Sequence, residues 1–316
     1  MIEFRIDHDT AGLRLDKYLR KKLPSVPVSH LFKMVRTKKV RINGKRAQPE
    51  QPLQEGDVVA IRGTPEKLLA EGPIRPPPPP VDPSELKVLF EDDWMMAIDK
   101  PSGMAVHTGS GITGGTAVDY VRAYLGPKAV RNDFAASPAH RLDRETSGVL
   151  LVAKRRPAMV HFTDVFTRGL SKKSYLALVK GRMPRANGVV DLPLAEHQQT
   201  AESRARRGVN MQEAVTHWRV IKQGSDAALV ECSIETGRTH QIRRHLAAIG
   251  HPVAGDRRYG DFEYNRELRA RWGLKRLFLH ARSIEFPHPA RGERMRVESE
   301  LPQELRAVLM KASLEP

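Results

Sequence analysis

The sequence predicts an α+β fold that is built on a mixed, largely antiparallel sheet and preceded by a smaller amino-terminal unit. After residue 86, apolar runs typical of strands outnumber helical patterns, and the two do not alternate as regular βαβ units would. Five consecutive prolines at residues 76–80 separate this part from a basic amino-terminal segment. A chain of 316 residues, of which 40% are hydrophobic, can form one large core and a small second one.

The proline run belongs to a segment, residues 72–85, whose composition favours extended polyproline II over packed structure. We therefore expect a semi-rigid linker here, between an amino-terminal domain of residues 1–71 and a larger domain of residues 86–316. Both domains would have ordinary sizes.

The amino-terminal domain is predicted to contain two short helices followed by strands. Residues 16–23 have a helical pattern that the following prolines end, and residues 31–35 contribute apolar side chains to one face of a second helix. An Asn-Gly pair at residues 43–44 predicts a hairpin turn after a strand, and residues 58–61 predict a further strand. Basic residues cluster in and just after the second helix, namely Lys33, Arg36, Lys38 and Lys39.

The larger domain has strand patterns at its start and through its middle. Residues 87–98 predict a hairpin around a Glu-Asp-Asp turn, and the continuous apolar run 149–153 predicts a central buried strand. Residues 175–179 and 227–234 predict two more strands. Periodicity and end signals predict helices at residues 116–125, 157–166 and 239–249 and a closing helix around residues 302–309.

The charge and the cysteine count narrow the class of protein. A formal net charge of +16, from 53 Lys and Arg against 37 Asp and Glu, predicts attraction to nucleic acid or to an anionic membrane surface. The apolar runs are far shorter than a membrane span of about 20 residues. A single cysteine, Cys232, excludes an internal disulfide and a multi-cysteine zinc cluster. Residues 1–10 lack the apolar core of a secretion signal, so we expect a cytoplasmic protein.

The strongest chemical signal is residues 140–148, His-Arg-Leu-Asp-Arg-Glu-Thr-Ser-Gly, directly before the buried run 149–153. Asp143 stands between Arg141 and Arg144, and nearby positive charge favours the ionised form that a nucleophilic carboxylate needs. From the charges alone, a surface ion pair is the favoured interpretation.

This segment resembles the catalytic motif of the RluA-type RNA pseudouridine synthases, which is His-Arg-Leu-Asp, two variable residues and Thr-Ser-Gly. The amino-terminal domain resembles the S4 RNA-binding domain of αααβ type. The resemblance implies the pseudouridine synthase fold and the conversion of uridine in RNA to pseudouridine. Further segments resemble the other motifs of the family in the family's order, at residues 100–107, 173–181, 236–243, 251–260 and 279–281.

The resemblance also implies roles for individual residues. Asp143 would be the essential carboxylate, acting either by covalent attack or by promoting loss of the C2′ proton, and Arg243 would pair with it. Tyr175 would pack against the target base and accept or relay a proton, although an aromatic core role explains its ring equally well. Ile242 would form an apolar wall under the uracil. Arg141 would contact RNA near the target nucleotide, or else be a second ion-pair partner of Asp143.

The expected substrate is large-subunit (23S) ribosomal RNA, because an S4-like domain joined to the loop Val-His-Thr-Gly-Ser-Gly at residues 106–111 is similar to family members that modify this RNA. The RNA could be free or part of an assembling large subunit. The target uridine must be extruded from the helix, and phosphate contacts can offset that cost. We expect a monomer without a protein partner. The residues expected to contact RNA phosphates are Lys33, Arg36, Lys38 and Lys39, with Arg204, Arg206 and Arg207 as a second source.

No cofactor or metal is expected, because pseudouridine formation has no net redox change and no group donor. Residues 109–114 satisfy the dinucleotide-binding glycine pattern literally, but no strand runs into these glycines within a βαβ unit. A nicotinamide enzyme and an RNA methyltransferase are therefore the weaker interpretations. A sister large-subunit pseudouridine synthase and a non-catalytic ribosomal RNA-binding assembly factor remain open alternatives.

Overall fold

The chain forms two compact units, which divide it into residues 1–78 and 79–316. The predicted linker, residues 72–85, lies mostly outside the described residues, and so does the arginine cluster at residues 204–207. The end of the predicted linker forms a 3₁₀-helical turn, Pro83–Glu85, that belongs to the second unit and accepts a hydrogen bond from the Tyr120 hydroxyl at Glu85. The computed structural model describes residues 1–7, 10–23, 26, 28–63, 80–108, 112, 114–131, 134–196 and 210–315, without the side chains of residues 28 and 29.

The first unit packs two helices against a four-stranded antiparallel sheet with the strand order β1-β4-β2-β3. The predicted hairpin is confirmed, because Asn43 and Gly44 adopt the positive φ angles, 50° and 73°, that such a turn needs. A third helix of the αααβ pattern is not among the described residues. The elements are β1 (Ile2–Arg5), α1 (Leu15–Lys22), α2 (Val28–Arg36), β2 (Val40–Ile42), β3 (Lys45–Arg46) and β4 (Val58–Ile61).

The second unit is built on a ten-stranded mixed sheet with the order β12-β15-β16-β11-β17-β10-β6-β5, to which β18 adds beside β17 and β9 beside β10. The pair β10 and β17 is parallel and the other pairs are antiparallel. The strands are β5 (Val88–Glu91), β6 (Met95–Lys100), β7 (Val130–Arg131), β8 (Phe134–Ala135), β9 (Ser137–Pro138), β10 (Ser147–Ala153), β11 (Lys172–Lys180), β12 (Asn187–Asp191), β13 (Leu194–Ala195), β14 (Met211–Gln212), β15 (Val215–Gln223), β16 (Ala227–Ile234), β17 (Leu279–Pro287) and β18 (Arg294–Glu298).

Helices cover this sheet, and four of the five that are described were predicted. The unpredicted helix is α6. In the described part of the chain, no helix is long and apolar enough to cross a lipid bilayer. The helices are α3 (Ala117–Leu125), α4 (Arg156–Thr167), α5 (Gln241–Ala248), α6 (Phe262–Trp272) and α7 (Gln303–Ala312).

Strand β10 is buried at all seven positions because both faces of the sheet are covered. Val149 and Leu151 point to the core that contains Phe162 of α4. Leu150 and Val152 belong to the core on the other face, which includes α3 and α5. The continuous apolar run in the sequence therefore does correspond to a central strand.

The parallel contact between β10 and β17 is short, with Ser147 opposite His280 and Gly148 opposite Ala281. Gly148 has a φ of +113°, and a Cβ at this position would lie 2.1 Å from the carbonyl oxygen of Ala281. Only glycine permits so close an approach. As a result, the loop that precedes β10 ends where β11, β17 and β10 lie side by side in the sheet.

Candidate active site

A cleft of about 520 Å³ opens at this junction. The loop before β10 forms one wall, β11 forms the floor, and residues 234–243, which connect β16 to α5, form the opposite wall. The cleft thus brings together three of the segments that resemble family motifs, residues 140–148, 173–181 and 236–243.

Asp143 and Arg243 meet in this cleft although 100 residues separate them in the chain. The Arg243 Nη1 group donates a hydrogen bond of 3.1 Å to Oδ2 of Asp143. The side chain of Asp143 is 16% exposed and that of Arg243 is 8% exposed. The carboxylate therefore faces the cleft, and its cationic partner lies behind it.

The other edge of the Arg243 guanidinium binds Asp256, which the sequence pattern did not indicate as a site residue. Nε and Nη2 donate hydrogen bonds of 2.7 and 2.9 Å to the two carboxylate oxygens of Asp256. Asp256 also accepts hydrogen bonds of 2.8 and 3.0 Å from the backbone N–H groups of Arg258 and Tyr259. This bidentate contact fixes the plane of the guanidinium, so that Nη1 points toward Asp143.

The charges in this group stabilise one another. Burial by itself raises the pKa of Asp256, but the hydrogen bonds from Arg243 and from the backbone outweigh it, so the pKa is lowered. Burial likewise disfavours the charged form of Arg243, yet the hydrogen bond and charge of Asp256 and the smaller effect of Asp143 raise its pKa. Both groups are therefore ionised at neutral pH.

His240 lines this side of the cleft and Tyr259 packs behind it, and the sequence pattern indicated neither as a site residue. His240 precedes α5 in a left-handed conformation, with a φ of 56°, which is strained for a residue other than glycine. Its Nε2 lies 3.9 Å from Oδ1 of Asp143, and its Nδ1 lies 3.0 Å from the hydroxyl of Tyr259. The guanidinium of Arg243 stacks over the ring of Tyr259 at 5.2 Å. Both residues lie in motif-like segments, but nothing in the sequence pattern indicated this contact.

Tyr175 lies on β11 and lines the cleft, and 7% of its surface is exposed. No hydrogen bond to its hydroxyl is found among the residues that the structure describes. Burial and then the charge of Asp143 raise the pKa of Tyr175, so the side chain is a neutral phenol that can donate a hydrogen bond. Ile242 also lines the cleft and is 4% exposed, as an apolar wall requires.

The two arginines that flank Asp143 in sequence do not bind it. Arg144 points away and donates a hydrogen bond of 2.9 Å from Nε to the carbonyl oxygen of Gly103. Arg141 lines the cleft and is exposed, without an ion pair to any described residue. The ion pair expected with these two neighbours is therefore wrong, and the arginine that binds Asp143 is Arg243.

Two basic side chains, Lys100 and Arg276, bind the loop that carries Asp143. Lys100 Nζ donates hydrogen bonds to three carbonyl oxygens, those of Pro101, Met104 and Arg144, at 2.8, 2.9 and 3.2 Å. Burial lowers the pKa of Lys100 to about 7. Arg276 Nη2 donates a hydrogen bond of 2.8 Å to Ser147 Oγ at the start of β10. Neither Lys100 nor Arg276 lines the cleft, so these contacts stabilise the loop without occupying the substrate site.

The four basic residues predicted to bind RNA in the first unit, Lys33, Arg36, Lys38 and Lys39, are all exposed. Two of them, Lys33 and Arg36, line a shallow cleft of about 330 Å³ together with Phe32 and Arg46. A mixed basic and aromatic surface suits a nucleic acid strand.

Comparison with known proteins decides the family. Residues 95–248 match the RNA pseudouridylate synthase model, and residues 13–59 match the S4 domain model. The chain is 41% identical over 308 residues to ribosomal large subunit pseudouridine synthase C of Escherichia coli, covering 97% of this chain and 95% of the relative. It is 38% identical, with the same coverage, to the synthase of that name in Vibrio cholerae.

The chain belongs to the RNA pseudouridylate synthase family. Solved structures agree, since human RNA pseudouridylate synthase domain containing 4 matches with a TM-score of 0.60 and 26% identity, over 73% of this chain and 94% of that one. Human RNA pseudouridylate synthase domain containing 1 matches with a TM-score of 0.56 and 25% identity, over 71% and 86% of the two chains. The protein is therefore an RNA pseudouridine synthase with an amino-terminal S4 domain, and the predicted fold class and enzyme class are confirmed.

Replacing Arg243 with Ala in this synthase should lower the free energy of unfolding by about 3–5 kcal/mol at neutral pH, because Asp256 is left buried, charged and unpaired. The pKa of Asp256 is lowered in the folded wild-type protein. Ionised Asp256 therefore stabilises the fold at pH values above the ordinary carboxyl pKa, and this stabilisation is lost as the pH falls through the folded-state pKa. In the variant the pKa of Asp256 should instead be raised, so the loss of stability should shrink at about pH 5.

Urea unfolding of both proteins at the two pH values measures this effect. Arg266→Ala is the matched control, since it removes an exposed ion pair with Glu263 on α6 and should change stability little at either pH. An Arg243→Ala protein as stable as the wild type would show that the buried group contributes nothing.

Proposed function

We propose that this RNA pseudouridine synthase isomerises specific uridines in large-subunit (23S) ribosomal RNA. The observation that carries the proposal is the near full-length similarity, through both domains, to synthases whose names specify the large ribosomal subunit. A substrate of this kind would place the enzyme in the bacterial cytoplasm. It would act as a monomer on free RNA or on an assembling subunit.

The reaction breaks the bond between uracil N1 and ribose C1′ and forms a bond between uracil C5 and C1′. The C5 proton leaves and N1 gains a proton, so atoms and electrons balance without an added reagent. Asp143 is the carboxylate best placed to act, because it faces the cleft while Arg243 binds one of its oxygens from behind. Both covalent attack and help in removing the C2′ proton are compatible with this arrangement.

Tyr175 and Ile242 would hold the extruded uracil between a ring and an aliphatic side chain. The raised pKa of Tyr175 keeps its hydroxyl protonated, which favours a role as a hydrogen-bond donor or proton relay over that of a tyrosinate base. Arg141, exposed at the rim of the cleft, would contact the RNA beside the target nucleotide. Lys33, Arg36, Lys38 and Lys39 would bind phosphates and position the RNA.

Mapping pseudouridines in ribosomal RNA from cells with and without this protein tests the proposal. We expect pseudouridine to be lost at a small set of positions in large-subunit RNA and restored by the wild-type protein. Loss confined to small-subunit RNA or transfer RNA would contradict the proposed substrate.

Asp143→Asn should abolish isomerisation and leave RNA affinity within a few-fold of wild type, because the amide keeps the shape of the side chain but cannot act as a nucleophile or base. Single-turnover assays and filter binding on the same RNA measure the two quantities. Asp164→Asn, which alters an exposed carboxylate on α4, is the control and should keep full activity. Substantial turnover by a purified Asp143→Asn protein would contradict the assignment.

Tyr175→Phe should bind RNA normally but release tritium from C5-labelled substrate at least about 10²-fold more slowly, since it keeps the ring and loses the hydroxyl. The defect should lie in kcat, because the hydroxyl acts in the transition state. Tyr120→Phe removes a remote hydroxyl that bonds to Glu85 and should have no such effect. If Tyr175→Phe stays within a few-fold of wild type and Tyr175→Leu is strongly impaired, the residue only stacks.

A truncated chain that begins near Pro83 should fold, bind ribosomal RNA more weakly, and show a shallower dependence of log affinity on log salt concentration. The physical reason is that fewer phosphate contacts release fewer counterions. Binding titrations at several salt concentrations compare the two proteins. Equal affinities and equal slopes would mean that the basic surface of the S4 domain makes no contact with the RNA.

A further inference from the structure

Strand β11 and the residue just before it present a row of three polar side chains to the active-site cleft. Ser171, Lys173 and Tyr175 line it, whereas the intervening Lys172 and Ser174 do not. This alternation follows from the two-residue repeat of a strand, and Ser174 instead donates a hydrogen bond of 2.7 Å to Glu231. The row runs from Tyr175, beside Asp143, toward the start of the strand.

The Lys173 ammonium has no carboxylate partner within the described residues and makes no hydrogen bond to them. It lies 4.2 Å from the centroid of the Phe166 ring. The two carboxylates that line the cleft are Asp143 and Glu235, and each has another partner, because Arg243 binds the former and His217 contacts the latter at 2.7 Å.

The surroundings of Lys173 disfavour its charge in the free enzyme. Burial lowers the pKa of Lys173 to about 8. The neighbouring His140 is neutral, since burial lowers its pKa to about 3 and its Nε2 accepts a hydrogen bond of 3.1 Å from the backbone N–H of Leu151. A desolvated ammonium without an anion destabilises a protein. Its position in a substrate cleft suggests that the missing anion arrives with the substrate.

We propose that Lys173, with the hydroxyls of Ser171 and Thr167, forms a phosphate subsite that binds the RNA backbone next to the target uridine. Both hydroxyls line the same cleft, and neither makes a side-chain hydrogen bond to a described residue. Two residues along β11 separate Lys173 from Tyr175 by roughly 7 Å. A single nucleotide can span this distance, with its base on Tyr175 and its phosphate on Lys173.

Lys173→Met tests this subsite, because methionine keeps the apolar stem over Phe166 and removes the charge. Lys172→Met is the matched control, since it removes the charge of the exposed neighbour that does not line the cleft. The inference rests on the proposed function, so the wild-type enzyme is assayed first on large-subunit ribosomal RNA from cells that lack the protein. Failure of that assay would overturn the proposed substrate, independently of Lys173.

Lys173→Met should raise the Kd for this RNA several-fold and reduce the slope of log affinity against log salt by about 0.7 to 0.9, the value for one phosphate contact. The single-turnover rate at saturating RNA should stay within a few-fold of wild type. The melting temperature should be unchanged or higher, because an unpaired charge has been removed. A merely structural lysine would give the opposite change in melting temperature and an unchanged slope.

A second measurement uses the wild-type protein and synthetic RNA in which one phosphate beside the target uridine is replaced by a neutral methylphosphonate. The wild-type protein should bind this RNA more weakly than unmodified RNA. The Lys173→Met protein should bind both RNAs with the same affinity, because it already lacks the contact. If the wild-type protein binds unmodified RNA and RNA modified at either adjoining phosphate with equal affinity, the proposed subsite is wrong. The subsite is also wrong if Lys173→Met lowers only the rate at saturating RNA and leaves affinity unchanged. In that case the ammonium would act on the uracil during the reaction.

Discussion

One guanidinium, shared between two carboxylates, organises the active site. Arg243 binds Asp256 through two hydrogen bonds and offers its remaining Nη1 to Asp143. The side chain of Asp256 is not exposed at all, so removal of the cation would leave a buried charge unpaired. The backbone around this carboxylate is correspondingly restricted, since a Cβ on Gly260 would lie 2.2 Å from the carbonyl oxygen of Asp256. The position of Asp143 thus depends on residues that never reach the substrate.

The fold brings this group to the cleft through one irregular feature of the sheet. The short parallel contact of β10 and β17 at Gly148 places the loop with Asp143 beside Tyr175 on β11. Because α5 follows β16, the strand on the other side of β11, its first turn faces the same loop. Lys100 then binds this loop through the carbonyl oxygen of Arg144. Chemistry that needs a fixed carboxylate is therefore supported by a rigid sheet and not by a surface loop alone.

Local patterns predicted the parts of this structure that local physics decides. The apolar runs of β10 and β16 and the Asn-Gly hairpin each correspond to the observed element, and ordered motifs indicated Asp143, Tyr175 and Arg243. Strand β12 and helix α6 are among the elements that were missed, because their apolar positions are sparse, as in β12, where Val190 is 3% exposed and Val189 is 57% exposed. Asp256 lies in the motif-like segment 251–260, but the pattern gave no sign of its pairing with Arg243, 13 residues away in the chain.

The most direct test of this account is the single-turnover rate of Asp256→Asn on its RNA. Asparagine keeps the volume of the side chain but is neutral and cannot accept both hydrogen bonds from Arg243, so the guanidinium should lose its orientation toward Asp143. We expect the rate to fall by about 10²-fold or more, with RNA affinity unchanged, because displacement of a reacting group costs that much. Asp261→Asn, which removes a nearby carboxylate bound to Lys180, should keep the wild-type rate. A folded Asp256→Asn protein with a rate within a few-fold of wild type would contradict the account.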